Sequence, residues 1–116
     1  MQTTALGRSG ETIARQYLEN KGMVFIRQNY KRRHGEVDLI MKDGAFLVFV
    51  EVKTRRSLRY GTPAEAVTPA KQQHIRYCAE LYFAENRLES HPLRFDIVEI
   101  LIQAGRAKIR HIRDAF

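Results

Sequence analysis

In the stretch FLVFVEVKTR, residues 46–55, a carboxylate at Glu51 and an ammonium at Lys53 interrupt a run that is otherwise apolar. Just upstream, GEVDLIMK contributes Glu36 and Asp38. Between the two stretches stands Asp43-Gly44, a strong signal for a two-residue hairpin loop, because such loops favour residues that accept positive φ. With Lys42 paired to Ala45, antiparallel counting sets Asp38 against Phe49 and Glu36 against Glu51. Opposed residues share a face, so Glu36, Asp38, Glu51 and Lys53 converge on one side of the sheet, with Asp38 diagonal to Glu51. Carboxylates that close repel, and burial raises their pKa values or forces them to share a proton. A hard divalent cation relieves this: Mg²⁺ takes one or two protein carboxylates, keeps several waters and draws other oxygens from phosphate. Lys53 would stand where it can position or deprotonate an attacking water. An E-x-K triplet alone is commonplace and usually marks a solvated strand end; the aligned Asp38 is what points to a metal site.

The elements that must hold these groups are legible from periodicity. Leu6, Ile13, Ala14, Tyr17 and Leu18 fit a helix over residues 5–20 closed by Gly22, with Gly7, Gly10 and Ala14 allowing close packing on a sheet. MVFIRQNY reads as a strand before the polar KRRHG turn, and EVDLIMK and AFLVFVEVKT as the next two strands. RRSLRYGTPAEAV reads as a basic loop with a short helical turn. Thr68 then caps a helix that starts at Pro69, runs to about residue 86 and buries Ile75, Cys78, Ala79 and Tyr82. LRFDIVEILI and AKIRHIRD are strands around Gly105. The order α-β-β-β-α-β-β predicts an α/β fold with a central mixed sheet flanked by helices, in a single domain spanning residues 1–116.

The chain has 116 residues and a formal charge of +7, a balance that favours a polyanionic partner, nucleic acid before anionic lipid. A lone cysteine, the lack of a signal-peptide pattern and the lack of an apolar run of about 18 residues predict a cytoplasmic protein with no membrane partner.

With these residues in place, Asp38 followed after a hairpin by Glu51-Val52-Lys53 resembles the D…E-x-K core of the PD-(D/E)XK nuclease superfamily, with Val37 where the name has proline. More closely, GRSGETIARQYL, RRHGEVDLI, VFVEVKTR and YGTPAEAVTPAKQQHI resemble the bacterial YraN family of endonuclease-like proteins over nearly the whole chain. The resemblance implies a restriction-endonuclease-like αβββαβ core with an extra C-terminal strand. It also implies Mg²⁺ or Mn²⁺ held by Asp38, Glu51 and the Val52 carbonyl, with Lys53 assisting the hydrolytic water. Similarity in architecture to archaeal Holliday-junction resolvases adds Glu11 as a further acidic residue at the metal. From spacing alone, Glu11 could instead pair with Arg15 one turn on. Glu36 stays open between a water-mediated metal contact and an outward ion pair with the KRR run.

Basic residues bracket the proposed site: Arg27, Lys31, Arg32 and Arg33 before Asp38, and Arg55, Arg56 and Arg59 after Lys53. Arg32, Arg33, Arg55 and Arg56, with Lys71 in the first turn of the second long helix, are the expected phosphate contacts. Gln73 joins them through a loose resemblance of Gln73…Tyr77 to the Q-x-x-x-Y element of RecB-like nucleases. The tail group, Arg106, Lys108, Arg110 and Arg113, reads at least as well as a solvated surface. The expected function is a Mg²⁺-dependent DNA endonuclease acting on structured or branched DNA, with a homodimer left open for cutting both strands. The alternative is a non-catalytic nucleic-acid-binding protein or an adaptor of a DNA-processing complex.

Overall fold

The computed structural model describes residues 9–56 and 67–116. In chain order these form α1 (Gly10–Asn20), β1 (Val24–Arg32), β2 (Gly35–Asp43), β3 (Phe46–Arg55), α2 (Pro69–Glu85), β4 (Leu93–Gln103) and β5 (Arg106–Ile112). The strands make one five-stranded sheet in the order β1-β2-β3-β4-β5. β3 and β4 run parallel and the other neighbours antiparallel, so the fold is mixed α/β.

Each helix buries one stripe against one face. Ile13, Ala14 and Leu18 of α1 pack with Leu39, Met41, Val48, Val50, Val98 and Ile100. On the other face Ile75, Cys78, Ala79 and Tyr82 of α2 meet Tyr30, Ile40, Phe49, Phe95 and Ile97. The parallel β3–β4 pair, buried on both faces, accordingly reads as a nearly continuous apolar run. α2 has the predicted cap: the Thr68 side chain accepts the Lys71 N–H, and Pro69 opens the helix.

Three boundaries differ from expectation. The first helix starts at Gly10, because the extended Ser9 accepts the Thr12 N–H as N-cap; Leu6 and Gly7 lie outside the described residues. β1 continues through Lys31 and Arg32, which shortens the basic turn to Arg33 and His34. The β2–β3 loop is Gly44-Ala45, with Asp43 paired to Phe46 and Ile40 to Phe49, so the Lys42–Ala45 and Asp38–Phe49 pairings do not form. Among these turn residues only Gly44 has positive φ, 60°, the pattern of a loop with glycine in its first central position. Moving the loop by one residue shifts the pairing by two, which keeps the paired side chains of residues 39–43 and 46–50 on their predicted faces. Most of the expected basic loop after β3, including Arg59, lies outside the described residues.

Two polar clusters tie the layers together. Glu85 at the end of α2 takes two hydrogen bonds from Arg32, at 2.8 and 2.7 Å, and one from the Tyr30 hydroxyl at 2.8 Å. Those bonds hold Glu85 down to about 2. On β4 the fully buried Asp96 accepts two bonds from Arg94, one from His111 Nε2 of β5 and one from the Asp114 N–H. Burial works to raise its pKa, and the bonds from His111 and Arg94 bring it below the usual carboxylate range.

Gly35, at the start of β2, sets how near α2 lies. A Cβ there would sit 2.9 Å from the His74 carbonyl oxygen and 3.0 Å from Cys78 Sγ. The Gly35→Ala variant should therefore lose about 1–3 kcal/mol in urea titration, the usual cost of overpacking a fixed backbone. An unchanged midpoint would mean that α2 can move away freely.

Candidate functional site

The site begins where two strands break their alternation together. Gln28 pairs with Leu39 and Tyr30 with Val37, yet Tyr30 and Val37 face α2, Leu39 faces α1, and Gln28 borders a groove with α1 residues. The rung between, Asn29 and Asp38, absorbs the reversal, and Asn29 takes φ 55°, a left-handed conformation that asparagine tolerates. At the same level the β2–β3 ladder stops at Leu39–Val50. The next β3 donor, Val52 N–H, goes to the Asp38 carboxylate at 2.7 Å. Because the N–H and C=O of one strand residue point to the same side, the Val52 carbonyl faces this opening too.

Opposite Asp38 stands Glu51, buried at 6% exposure. Its Oε2 lies 3.3 Å from Lys53 Nζ and 3.0 Å from Lys71 Nζ, so one carboxylate oxygen faces two ammonium groups. Asp38 is pushed up to about 7, first by burial and then by the charge of Glu51. The bond from Val52 works against this rise, while a proton shared with Glu51 and the charge of Glu11 add to it. Burial and the adjacent Lys71 lower the pKa of Lys53, whereas Lys71, beside Lys53 and Glu51, keeps its proton more firmly than usual. Of the two lysines, Lys53 is the one whose charged form the surroundings disfavour. Gly35, Glu36, Asp38, Glu51, Lys71 and His74 border a cavity of about 160 Å³ beside the two carboxylates.

The structure thus brings together Asp38, Glu51, Val52, Lys53 and Lys71. Glu11 approaches from the other face: the start of α1 rests on Val52 and Thr54 through Gly10, and the Glu11 charge is felt at Asp38. Arg15 turns to Glu19, 3.4 Å away, rather than back to Glu11. Glu36 pairs in register with Lys31, not Glu51, and lines the cavity from its exposed side. Arg32 is committed to Glu85 and Arg33 is exposed in the β1–β2 turn. Arg55 ends β3 with a buried Nε, and Arg56 is exposed just beyond. Gln73 lies outside the carboxylate cavity, on an exposed groove with Arg76, Tyr77 and Glu80. Sequence reasoning missed the Lys71–Glu51 bridge and the burial of Glu99; the unbroken apolar setting of Glu99 in DIVEILI was the available signal for the latter.

Among the described residues no group of three or more His, Cys, Asp or Glu side chains converges as a ready metal cage. What converges is a carboxylate pair with one strand carbonyl, and burial together with the charge of Glu51 holds Asp38 above the usual carboxylate range. That donor set fits Mg²⁺ or Mn²⁺, which accept few protein oxygens and complete their shell with water and phosphate.

Fold and site together define a mixed α/β protein with a buried glutamate, a half-buried aspartate and two lysines where β2 and β3 part. Residues 10–100 match the family described as Uncharacterised protein family UPF0102. A UPF0102 protein of Rhodococcus opacus is 52% identical over 97% of this chain and 96% of its own length. One of Rhodococcus jostii is 50% identical over the same shares, and one of Symbiobacterium thermophilum is 49% identical over 96% of this chain and 95% of its own. The chain belongs to the UPF0102 family, the YraN-like group. No helix among the described residues is long and apolar enough to cross a membrane.

The Asp38 shift carries a pH signature. With a folded pKa near 7 against an ordinary 3.8, the folded state holds an extra proton between those values, and raising the pH through that window costs stability. Asp38→Asn should melt higher than the parent at pH 8, by roughly 5 °C, the shift that about 1 kcal/mol brings at this size. The gap should close as the pH falls towards 4. A variant that melts lower at pH 8 would show that the fold does not disfavour ionised Asp38.

Proposed function

We propose that the chain is a divalent-cation-dependent phosphodiesterase that cuts DNA, structured or branched DNA foremost, as a member of the PD-(D/E)XK nucleases. The observation that carries this reading is the Asp38–Glu51 pair at the opened end of the β2–β3 ladder, with Lys53 on the same face. A restriction-endonuclease-like arrangement is supported by the order of elements: a helix, three antiparallel strands, a helix, and a strand parallel to the third.

Mg²⁺ or Mn²⁺, held by Asp38, Glu51 and the Val52 carbonyl with Glu11 nearby, would supply Lewis acidity at the scissile phosphate. Lys53, whose proton is loosened by burial and by Lys71, first gives that proton to solvent and then takes one from water as the water oxygen attacks phosphorus. The phosphorus–oxygen bond on the far side breaks, and the departing sugar oxygen takes a proton from solvent. Lys71 keeps its charge and offers it to a phosphate oxygen once the strand is bound.

A second reading has its own support. Glu51 is already neutralised by two lysines, an arrangement that would also suit a non-catalytic nucleic-acid-binding protein or an adaptor of a DNA-processing complex. Labelled linear, single-stranded, flap and four-way DNA incubated with Mg²⁺ or Mn²⁺ separates the two. Cleavage that disappears in Asp38→Ala is the expected result; metal-independent binding without cleavage would establish the second reading instead. Lys53→Ala should lose at least about 100-fold in cleavage rate, the contribution of a positioned base. Its DNA affinity should stay within about two-fold, as for a group that acts only on the reacting water. A fully active Lys53→Ala protein would remove Lys53 from the chemistry.

A further inference from the structure

The strand β5 reads Arg106-Ala107-Lys108-Ile109-Arg110-His111-Ile112, and the register decides where its charges point. Arg110 pairs with Glu99, Lys108 with Leu101 and Arg106 with Gln103. On the alternate positions Ile109 pairs with Ile100 and packs in the α1 core. Ile112, in phase with the cations, pairs with Ile97 and packs in the α2 core. Arg106, Lys108 and Arg110 therefore all stand on the face that carries Glu51 and Lys53.

The rungs continue across the sheet. Lys53 pairs with Glu99 and Glu99 with Arg110, so Lys53 and Arg110 share one line, two strand spacings or about 10 Å apart. Arg55, Leu101 and Lys108 form the next line, and Gln103 with Arg106 the one after. All three β5 cations are exposed. Arg110 reaches Glu99 only at 3.8 Å with 55% of its side chain in solvent, and Glu99 Oε2 is buried with no hydrogen-bond partner among the described residues. Leu101, Gln103, Arg106 and Lys108 border an open groove of about 300 Å³ beside this row.

We infer that Arg106, Lys108 and Arg110 form a track for one nucleic-acid backbone, leading its phosphates across the sheet to the Asp38–Glu51–Lys53 site. Alternate strand residues are about 6.7 Å apart, comparable with the spacing of successive phosphates on one strand, and each cation can meet its own phosphate. Basic residues on an edge strand also discourage pairing with other sheets, but that role does not require every one of them on the same face. The inference rests on the proposed nucleic-acid substrate and is independent of whether the phosphate is cut.

The test is binding in the presence of chelator, so that cleavage plays no part. A labelled single strand and a labelled duplex are titrated across a salt series with the parent protein, the triple variant Arg106→Gln/Lys108→Gln/Arg110→Gln, and a charge-keeping Arg106→Lys/Arg110→Lys. The triple variant should bind at least about 10-fold more weakly at low salt, with the log–log salt slope reduced by about 2–3. The charge-keeping variant should retain the parent slope, and all three proteins should share one melting temperature. An unchanged slope in the triple variant overturns the track even if Asp38-dependent cleavage is intact. Parent protein that binds phosphatidylserine vesicles but neither DNA overturns it as well and assigns the row to a membrane surface.

Discussion

The hydrogen bond from the Val52 N–H to the Asp38 carboxylate replaces the rung that would have continued the β2–β3 ladder beyond Leu39–Val50. A backbone donor inside a sheet must find an acceptor, and here a side chain supplies it. The strands are thereby released from one another at the level where both β1 and β2 reverse their faces. That opening lets one carboxylate come up against another in a half-buried setting. Had Val37 taken the donor instead, Asp38 would have remained one more residue on a regular strand.

Two like charges in partial burial need compensation, and the molecule provides it in layers. Lys53 comes from the same strand as Glu51, so its position is set by the two-residue period of β3. Lys71 comes from the first turn of α2, and its reach depends on how closely that helix lies on the sheet. Gly35 permits that approach, and the Arg32–Glu85–Tyr30 cluster fastens the far end of α2 to β1. The same cluster commits the Arg32 guanidinium to Glu85 in a bidentate guanidinium–carboxylate pair. The opposite helix acts from beneath, with Gly10 bringing the first turn of α1 down on Val52 and Thr54, and so bringing Glu11 towards the carboxylates.

Asp96 governs the other half of the face. By holding His111 and the Asp114 N–H it fixes β5 to β4 in one register, and that register alone decides which side of the sheet Arg106, Lys108 and Arg110 occupy. A slip of one residue would turn the whole row towards α1. The cations of the last strand, which read in sequence at least as well as a solvated surface, form in the fold an ordered line of charge on the face that carries Glu51 and Lys53.

The order of elements, the caps at Thr68 and Pro69, the buried stripe of α2 and the shared face of Asp38, Glu51 and Lys53 were all determined by the sequence itself. These depend on local periods of 3.6 and 2, which survive an error in pairing as long as the slip is even. Tertiary structure decided the rest. Whether Gly44 takes the first or second turn position depends on the strands it joins, so Asp38 came to stand opposite Glu51 rather than diagonal to it. The break at Asn29 and Asp38, the second lysine on Glu51, the burial of Glu99 and the direction of the β5 charges depend on contacts between residues far apart in the chain. Such contacts are fixed only when helices and strands pack at particular distances, and no local pattern of residues records those distances.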